Sequence, residues 1–314
     1  MSDWLLYALL RIVAAMAMVL PIAIDMWIAR LAGRALWLLY RRGRTRAIEN
    51  LKASFPDKDR VWINSVGRRS FEQIAMLGMD VILTQKIVRK DNWRRYSTFK
   101  HVERVKWMMK EGRGLILVTG HYGNFEIIGY MFSLFGFQLY SIARPLDNRF
   151  VDRWLRSIRE RHGQRIIDKK GAADMMPSLP SSVSIGMIAD QDAGRKGIFV
   201  DFFGRPASTF KSIALLAVTR QMPVVVGYGR RIGNRFFFEI GVTRIIFPDQ
   251  WQDKDDPVRW VTVEFTKAIE QFVREDPTQY WWVHRRWKTR PRGQAKGPAA
   301  VGLAETSASG LERG

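Results

Sequence analysis

The segment Gly114 to Glu126, GLILVTGHYGNFE, limits the possible folds of this chain more than any other stretch. Its aliphatic run, Leu115 to Val118, reads as a strand buried on both faces, and Gly120 and Gly123 let the backbone turn at its end. Asn124 is placed to cap a helix running from Phe125 to Leu134, which carries Glu126 in its first turn. A strand that passes at once into a helix leaves His121 at the strand's carboxyl end. The spacing predicts that Glu126 returns its carboxylate to the imidazole, so that His121 acts as a general base and Glu126 fixes its tautomer. Spacing alone leaves a purely structural hydrogen bond open.

The same alternation continues along the chain. Helical periodicity covers Asp57 to Gln85 and Lys100 to Lys110, and strands are predicted at Phe137 to Ile142 and Val183 to Ala189. A basic amphipathic helix is expected from Arg153 to His162. Two further strands, Pro223 to Tyr228 and Arg235 to Ile240, flank the turn signal RRIGN, and a helix from Val258 to Arg274 stops at Asp276 and Pro277. Strands alternating with helices predict an α/β layered fold with a central mixed sheet flanked by helices. Polar residues then collect at the strands' carboxyl ends, where ligand sites of such folds lie. Arg144 follows one strand; Asp190 and Asp192 follow another.

The N-terminus is different in kind. Trp4 to Ile24 is apolar over about the length of a membrane-spanning helix, broken only by Arg11 and Pro21, and is expected to span a bilayer or lie in its interface. The basic run Arg41 to Arg46, RRGRTR, then marks the cytoplasmic side. A buried hairpin is the alternative. These features divide the chain into membrane-associated helices over 1–42, a catalytic domain over 43–291 and a disordered tail over 292–314. The net charge of +21 calls for an anionic partner surface. No nucleic-acid-reading module is recognisable, whereas tryptophan interleaved with arginine suits lipid headgroups. The absence of cysteine excludes a thiol nucleophile and thiolate metal sites, and the four histidines show no metal-ligand spacing, so no metal is expected.

HYGNFE resembles the His-x4-Asp/Glu motif of the lysophospholipid acyltransferase superfamily. ARPLDN at Ala143 to Asn148, MIADQDAGRKGIFVDFFGRPASTF at Met187 to Phe210 and DPTQYWWVHRRWKTRP at Asp276 to Pro291 resemble its lipid A branch, in the family's order. The resemblance implies a glycerolipid-acyltransferase-like fold. It also implies an O-acyltransferase at the cytoplasmic face of the inner membrane, moving a fatty acyl chain from acyl carrier protein, or from acyl coenzyme A, to a hydroxyl of an anionic glycolipid. No cofactor beyond the thioester co-substrate is expected. Acylation of a lysophospholipid or a phosphatidylinositol mannoside is the rival within the class, and a non-catalytic membrane-binding protein the rival outside it.

For such a reaction the backbone N–H groups of Gly123 and Asn124 are the expected oxyanion donors. Arg144 occupies a position that the family motif uses for phosphate or sugar-acid contact, with a plain surface arginine as the alternative. Asp201 stands where an acidic residue of the family assists the catalytic histidine. Asp190, Asp192 and Asp201 together leave open a hard-cation site, or simple capping of Arg195 or Arg205.

Overall fold

A computed structural model describes residues 3–161, 163–169, 171, 175–291 and 293. The apolar N-terminus folds as two helices, α1 (Asp3–Ala17) and α2 (Ile22–Leu39). They are followed by α3 (Arg41–Ser54) and the long α4 (Arg60–Ile87), which Asp59 caps by accepting a 2.7 Å bond from the Trp62 N–H. The layered part begins with β1 (Ser97–Lys100) and α5 (Glu103–Lys110). It continues through β2 (Ile116–Thr119), α6 (Phe125–Leu134), β3 (Leu139–Ala143), α7 (Arg149–Glu160) and β4 (Gln164–Asp168). Next come β5 (Ser184–Ile188), a hairpin of β6 (Ile198–Phe202) and β7 (Arg205–Thr209), and α8 (Ser212–Arg220). The strands β8 (Val224–Arg231) and β9 (Phe238–Ile246) and the helix α9 (Pro257–Glu275) complete the layers.

Seven strands form one sheet in the order β1-β9-β8-β2-β5-β3-β4. β8, β2, β5, β3 and β4 run parallel, while β9 turns back against β8 and brings β1 with it. The expected central mixed sheet flanked by helices is therefore present. Its alternating side chains feed three apolar clusters, two of them around β2. Ile116, Val118, Ile185, Val224 and Val226 pack with Phe265, Ile269 and Phe272 of α9, whereas Leu115, Leu117 and Val225 pack with Met108 of α5 and Ile128 of α6. Each fully buried phenylalanine of α9 contributes on the order of 2 kcal/mol of apolar burial. These contacts fix β2 at the centre of the sheet.

Two expectations need correction. Trp4 to Ile24 is not one continuous helix: α1 ends at Ala17, and Pro21, which has no N–H to continue a helical ladder, stands at the N-cap of α2 with φ −60° and ψ 138°. Among the described residues no helix is long and apolar enough to cross a membrane. The helix expected from Arg153 starts instead at Arg149, because the Asn148 side chain accepts the N–H groups of Phe150 and Val151 at 3.0 and 3.1 Å. The tail expected to be disordered lies, apart from Gly293, outside the described residues.

The N-terminal helices pack onto the layered part. α2 lies along α4 so closely at Gly33 that a Cβ there would meet the Glu72 Cα at 2.5 Å. Glu72 in turn accepts from Arg34 at 2.9 Å and Arg30 at 3.3 Å. α1 meets α7 through Tyr7, whose ring centroid is 6.0 Å from that of Phe150. The outward faces of α1 and α2 stay apolar: Trp4, Ile12, Trp27, Leu38 and Leu39 are each more than half exposed.

Candidate active site

The register of the sheet builds the site. β2 and β5 are parallel neighbours paired from Ile116↔Ile185 to Thr119↔Ile188. Two residues further along each strand, the same register brings His121 opposite Asp190. The bonds follow: the His121 backbone N–H donates to Asp190 Oδ2 at 2.9 Å, and its ring Nδ1 lies 2.7 Å from Asp190 Oδ1. Asp190 is 1% exposed and His121 9%. Burial alone would raise the Asp190 carboxyl, but the His121 imidazole beside it and the hydrogen bonds from that residue outweigh burial and hold it well below the ordinary carboxylate range. A carboxylate that stays ionised fixes Nδ1 as the protonated nitrogen and leaves Nε2 with its lone pair directed away from the buried acid.

Glu126 is elsewhere, and the expected His121–Glu126 pairing is corrected. Consecutive residues on a helix diverge by about 100°. Phe125 takes the side of α6 that faces the imidazole, with ring centroids 5.3 Å apart, and Glu126 is turned away toward α7. There its carboxylate forms a two-pronged ion pair with Arg159, one prong a 2.9 Å bond from Nε. The motif's acid thus ties α6 to α7.

Gly123 and Asn124 are also placed differently from expectation. The Gly123 N–H donates to the Gln279 carbonyl at 3.0 Å and the Asn124 N–H to the Gly229 carbonyl at 2.7 Å, so neither is free for an oxyanion. Gly123 has φ +52°, and a Cβ on it would stand 2.2 Å from the Gly229 carbonyl oxygen; only glycine permits this turn. Asn124 does cap α6, accepting the Ile127 N–H at 2.9 Å.

The remaining predicted residues scatter. Arg144 follows β3, is exposed, and pairs with the equally exposed Asp147 at 3.0 Å. Asp192 accepts from the Thr289 hydroxyl at 2.8 Å and fastens the C-terminal segment. Asp201 closes the β6–β7 turn by accepting the Gly204 N–H at 3.0 Å; a hairpin end engaged in its own turn does not assist His121.

One residue of the site was not apparent from sequence reasoning. His284 is far along the chain from His121 and has no acid at short spacing. The Trp281 N–H donates to the His121 carbonyl at 3.1 Å, and this bond returns the C-terminal segment over the site. The His284 ring then stands edge-on to His121, with centroids 4.4 Å apart, beside Trp281. Asn50 on α3 holds the segment by donating to the carbonyls of Trp282 at 2.8 Å and His284 at 3.0 Å. Burial, followed by the neighbouring His121, pushes the His284 pKa down to about 4, so the ring is neutral near pH 7. The signal available in the sequence was WWVHRRWK itself, a histidine among aromatic residues.

His121, Asp190 and His284 are close enough together to suggest a metal site. Both Asp190 oxygens, however, accept bonds from His121, and a cation would have to compete with them.

The sequence matches the family described as bacterial lipid A biosynthesis acyltransferase over residues 1–289. The chain belongs to that family. It is therefore an acyltransferase. Its relatives include a lipid A biosynthesis lauroyltransferase of Escherichia coli (strain K12), 26% identical over 82% of this chain and 83% of the relative. A lipid A biosynthesis acyltransferase of Haemophilus influenzae is 26% identical over 84% and 83% of the two chains. A lipid A biosynthesis myristoyltransferase of E. coli is 24% identical over 90% and 86%. In this acyltransferase the family's histidine takes its carboxylate partner from the end of β5.

Proposed function

We propose that this acyltransferase moves a fatty acyl chain from a carrier thioester to a hydroxyl of a lipid A precursor, with His121 as the general base. The observation that carries the reading is the imidazole fixed through Nδ1 to a buried, ionised Asp190. That arrangement leaves Nε2 basic and available to an incoming hydroxyl. His121 Nε2 takes the hydroxyl proton as the oxygen attacks the thioester carbonyl. Asp190 stabilises the imidazolium, and the same proton then passes to the leaving thiolate as the C–S bond breaks.

The donor is acyl carrier protein, an acidic partner for a chain of net charge +21, with acyl coenzyme A as the alternative thioester. The enzyme works on the cytoplasmic face of the inner membrane. Support for an in-plane attachment comes from the exposed apolar faces of α1 and α2, next to the basic first turns of α3. Arg144, beyond the end of β3, contacts an acceptor phosphate.

Purified protein, given an acyl thioester of the carrier protein and an under-acylated lipid A precursor in mixed micelles, is expected to add one acyl chain, read by mass spectrometry. His121→Ala is expected to lose at least about 10²-fold of this rate. Transfer to lysophospholipid in preference to the glycolipid would overturn the choice of acceptor. Full turnover by the alanine variant would overturn the base.

A further inference from the structure

An acyl transfer needs donors for the oxygen that becomes negative in the tetrahedral intermediate. The backbone groups at the start of α6, the obvious source, are committed to the carbonyls of Gln279 and Gly229. Among the described residues, Gln191 and His284 both stand beside the His121 ring with side-chain N–H groups not committed to a protein acceptor, as does the Trp281 indole, whose ring centroid is 5.0 Å from that of His121. Gln191, the residue after Asp190, brings its amide Nε2 to 3.5 Å from His121 Nε2, too long for a strong bond to it. His284 stands with its ring 4.4 Å from that of His121.

We propose that the Gln191 side-chain amide and the His284 imidazole N–H form the oxyanion hole of this enzyme. The inference rests on the acyl-transfer reading and adds to it the two groups that bind the reacting carbonyl. When the acceptor oxygen bonds to the carbonyl carbon, the π electrons move to the carbonyl oxygen, and both N–H groups donate to it there. When the C–S bond breaks, the electrons return, the carbonyl reforms as an ester, and the thiolate leaves with the proton held by His121.

Three observations support the roles. His284 Nδ1 is buried with no hydrogen-bond partner. A proton there would be a buried, unmade donor, so the neutral ring carries its proton on Nε2. Burial also keeps this imidazole uncharged, so it offers a hydrogen bond without competing with His121 for the proton. Finally, the main chain that carries each donor is anchored. Arg286, 2% exposed, donates to the Gln191 carbonyl at 3.2 Å, while Asn50 donates to the His284 carbonyl at 3.0 Å. Donors fixed before the charge develops need no reorganisation when it does.

The test measures kcat and KM for Gln191→Ala, Gln191→Glu, His284→Ala and His284→Asn in the full-length protein. It also measures affinity for two thioester analogues: a trifluoromethyl ketone, which hydrates to a tetrahedral centre, and a thioether, which has no carbonyl. Each alanine variant is expected to lose roughly 10²- to 10³-fold in kcat with KM nearly constant. Ketone affinity is expected to fall and thioether affinity to stay. His284→Asn, which keeps an N–H, should recover part of the loss, and Gln191→Glu, which sets a negative charge against the oxyanion, should be worse than alanine. An active wild type whose alanine variants keep kcat, or lose both analogues equally, would overturn the inference alone. A wild type that transfers no acyl group would overturn the reading of function as well.

Discussion

At the residue scale, the site shows how two imidazoles a ring's width apart acquire different duties. His121 has a buried anion at Nδ1, which suits it to the base role proposed above; for His284 burial is the largest influence and outweighs the pull of Asp190, so it stays neutral. This difference should be visible in stability. His284 has a folded pKa of about 4 against an ordinary 6.5. The unfolded chain therefore binds a proton between those values that the fold refuses, and stability falls as pH drops from 6.5 to 4 and levels off below. The charged groups facing His284 are His121, Asp190 and Arg46. Up to about 3 kcal/mol is involved. Urea unfolding at pH 7 and pH 4.5 should show a larger loss for the wild type than for His284→Asn; equal losses would mean that His284 is not buried neutral.

At the element scale, what the sequence revealed follows from how local the determining physics is. α6 runs from Phe125 to Leu134 as predicted, because its cap Asn124 and its apolar run adjoin in the chain. The β6–β7 hairpin escaped notice, since FVDFFGRPAS holds a proline inside one strand of a two-stranded ribbon, where no central ladder forbids it. The N-terminal helices were legible in their apolar faces and in the interruption at Pro21, but not in their packing on α4.

That packing makes a prediction: Gly33→Ala places a methyl group against the Glu72 backbone and should cost about 1–3 kcal/mol in denaturant unfolding. A loss below 0.5 kcal/mol, roughly the scale of an ordinary surface change, would contradict the α2–α4 contact. The outward face makes another. Trp27→Glu with Leu31→Glu changes side chains that are 59% and 40% exposed, so folding should persist while binding to anionic vesicles drops roughly tenfold or more. Unchanged vesicle binding would remove α2 from the membrane contact.

At the scale of the whole molecule, the site depends on the order of strands. His121 and Asp190 are 69 residues apart in sequence and meet only because β5 lies beside β2 in register, and nothing local to either residue specifies that neighbour. Glu126, five residues from His121, was the natural choice from spacing, and the helix turned it to Arg159 instead. Asp190 was legible as an acid at a strand end, though not as the partner of a particular histidine. His284 required the return of the C-terminal segment over the sheet.

In the proposed reaction Asp190, and not Glu126, completes the pair with His121. Both acids have amide analogues of the same shape, so kcat/KM per folded molecule for Asp190→Asn and Glu126→Gln compares them directly. The account predicts a fall of roughly 10²- to 10⁴-fold for Asp190→Asn, whose amide cannot stabilise the imidazolium. For Glu126→Gln it predicts a change within about threefold, together with a loss of roughly 1–3 kcal/mol in unfolding free energy from the weakened Arg159 pair. A Glu126→Gln variant that is folded but inactive, beside an active Asp190→Asn, would contradict it.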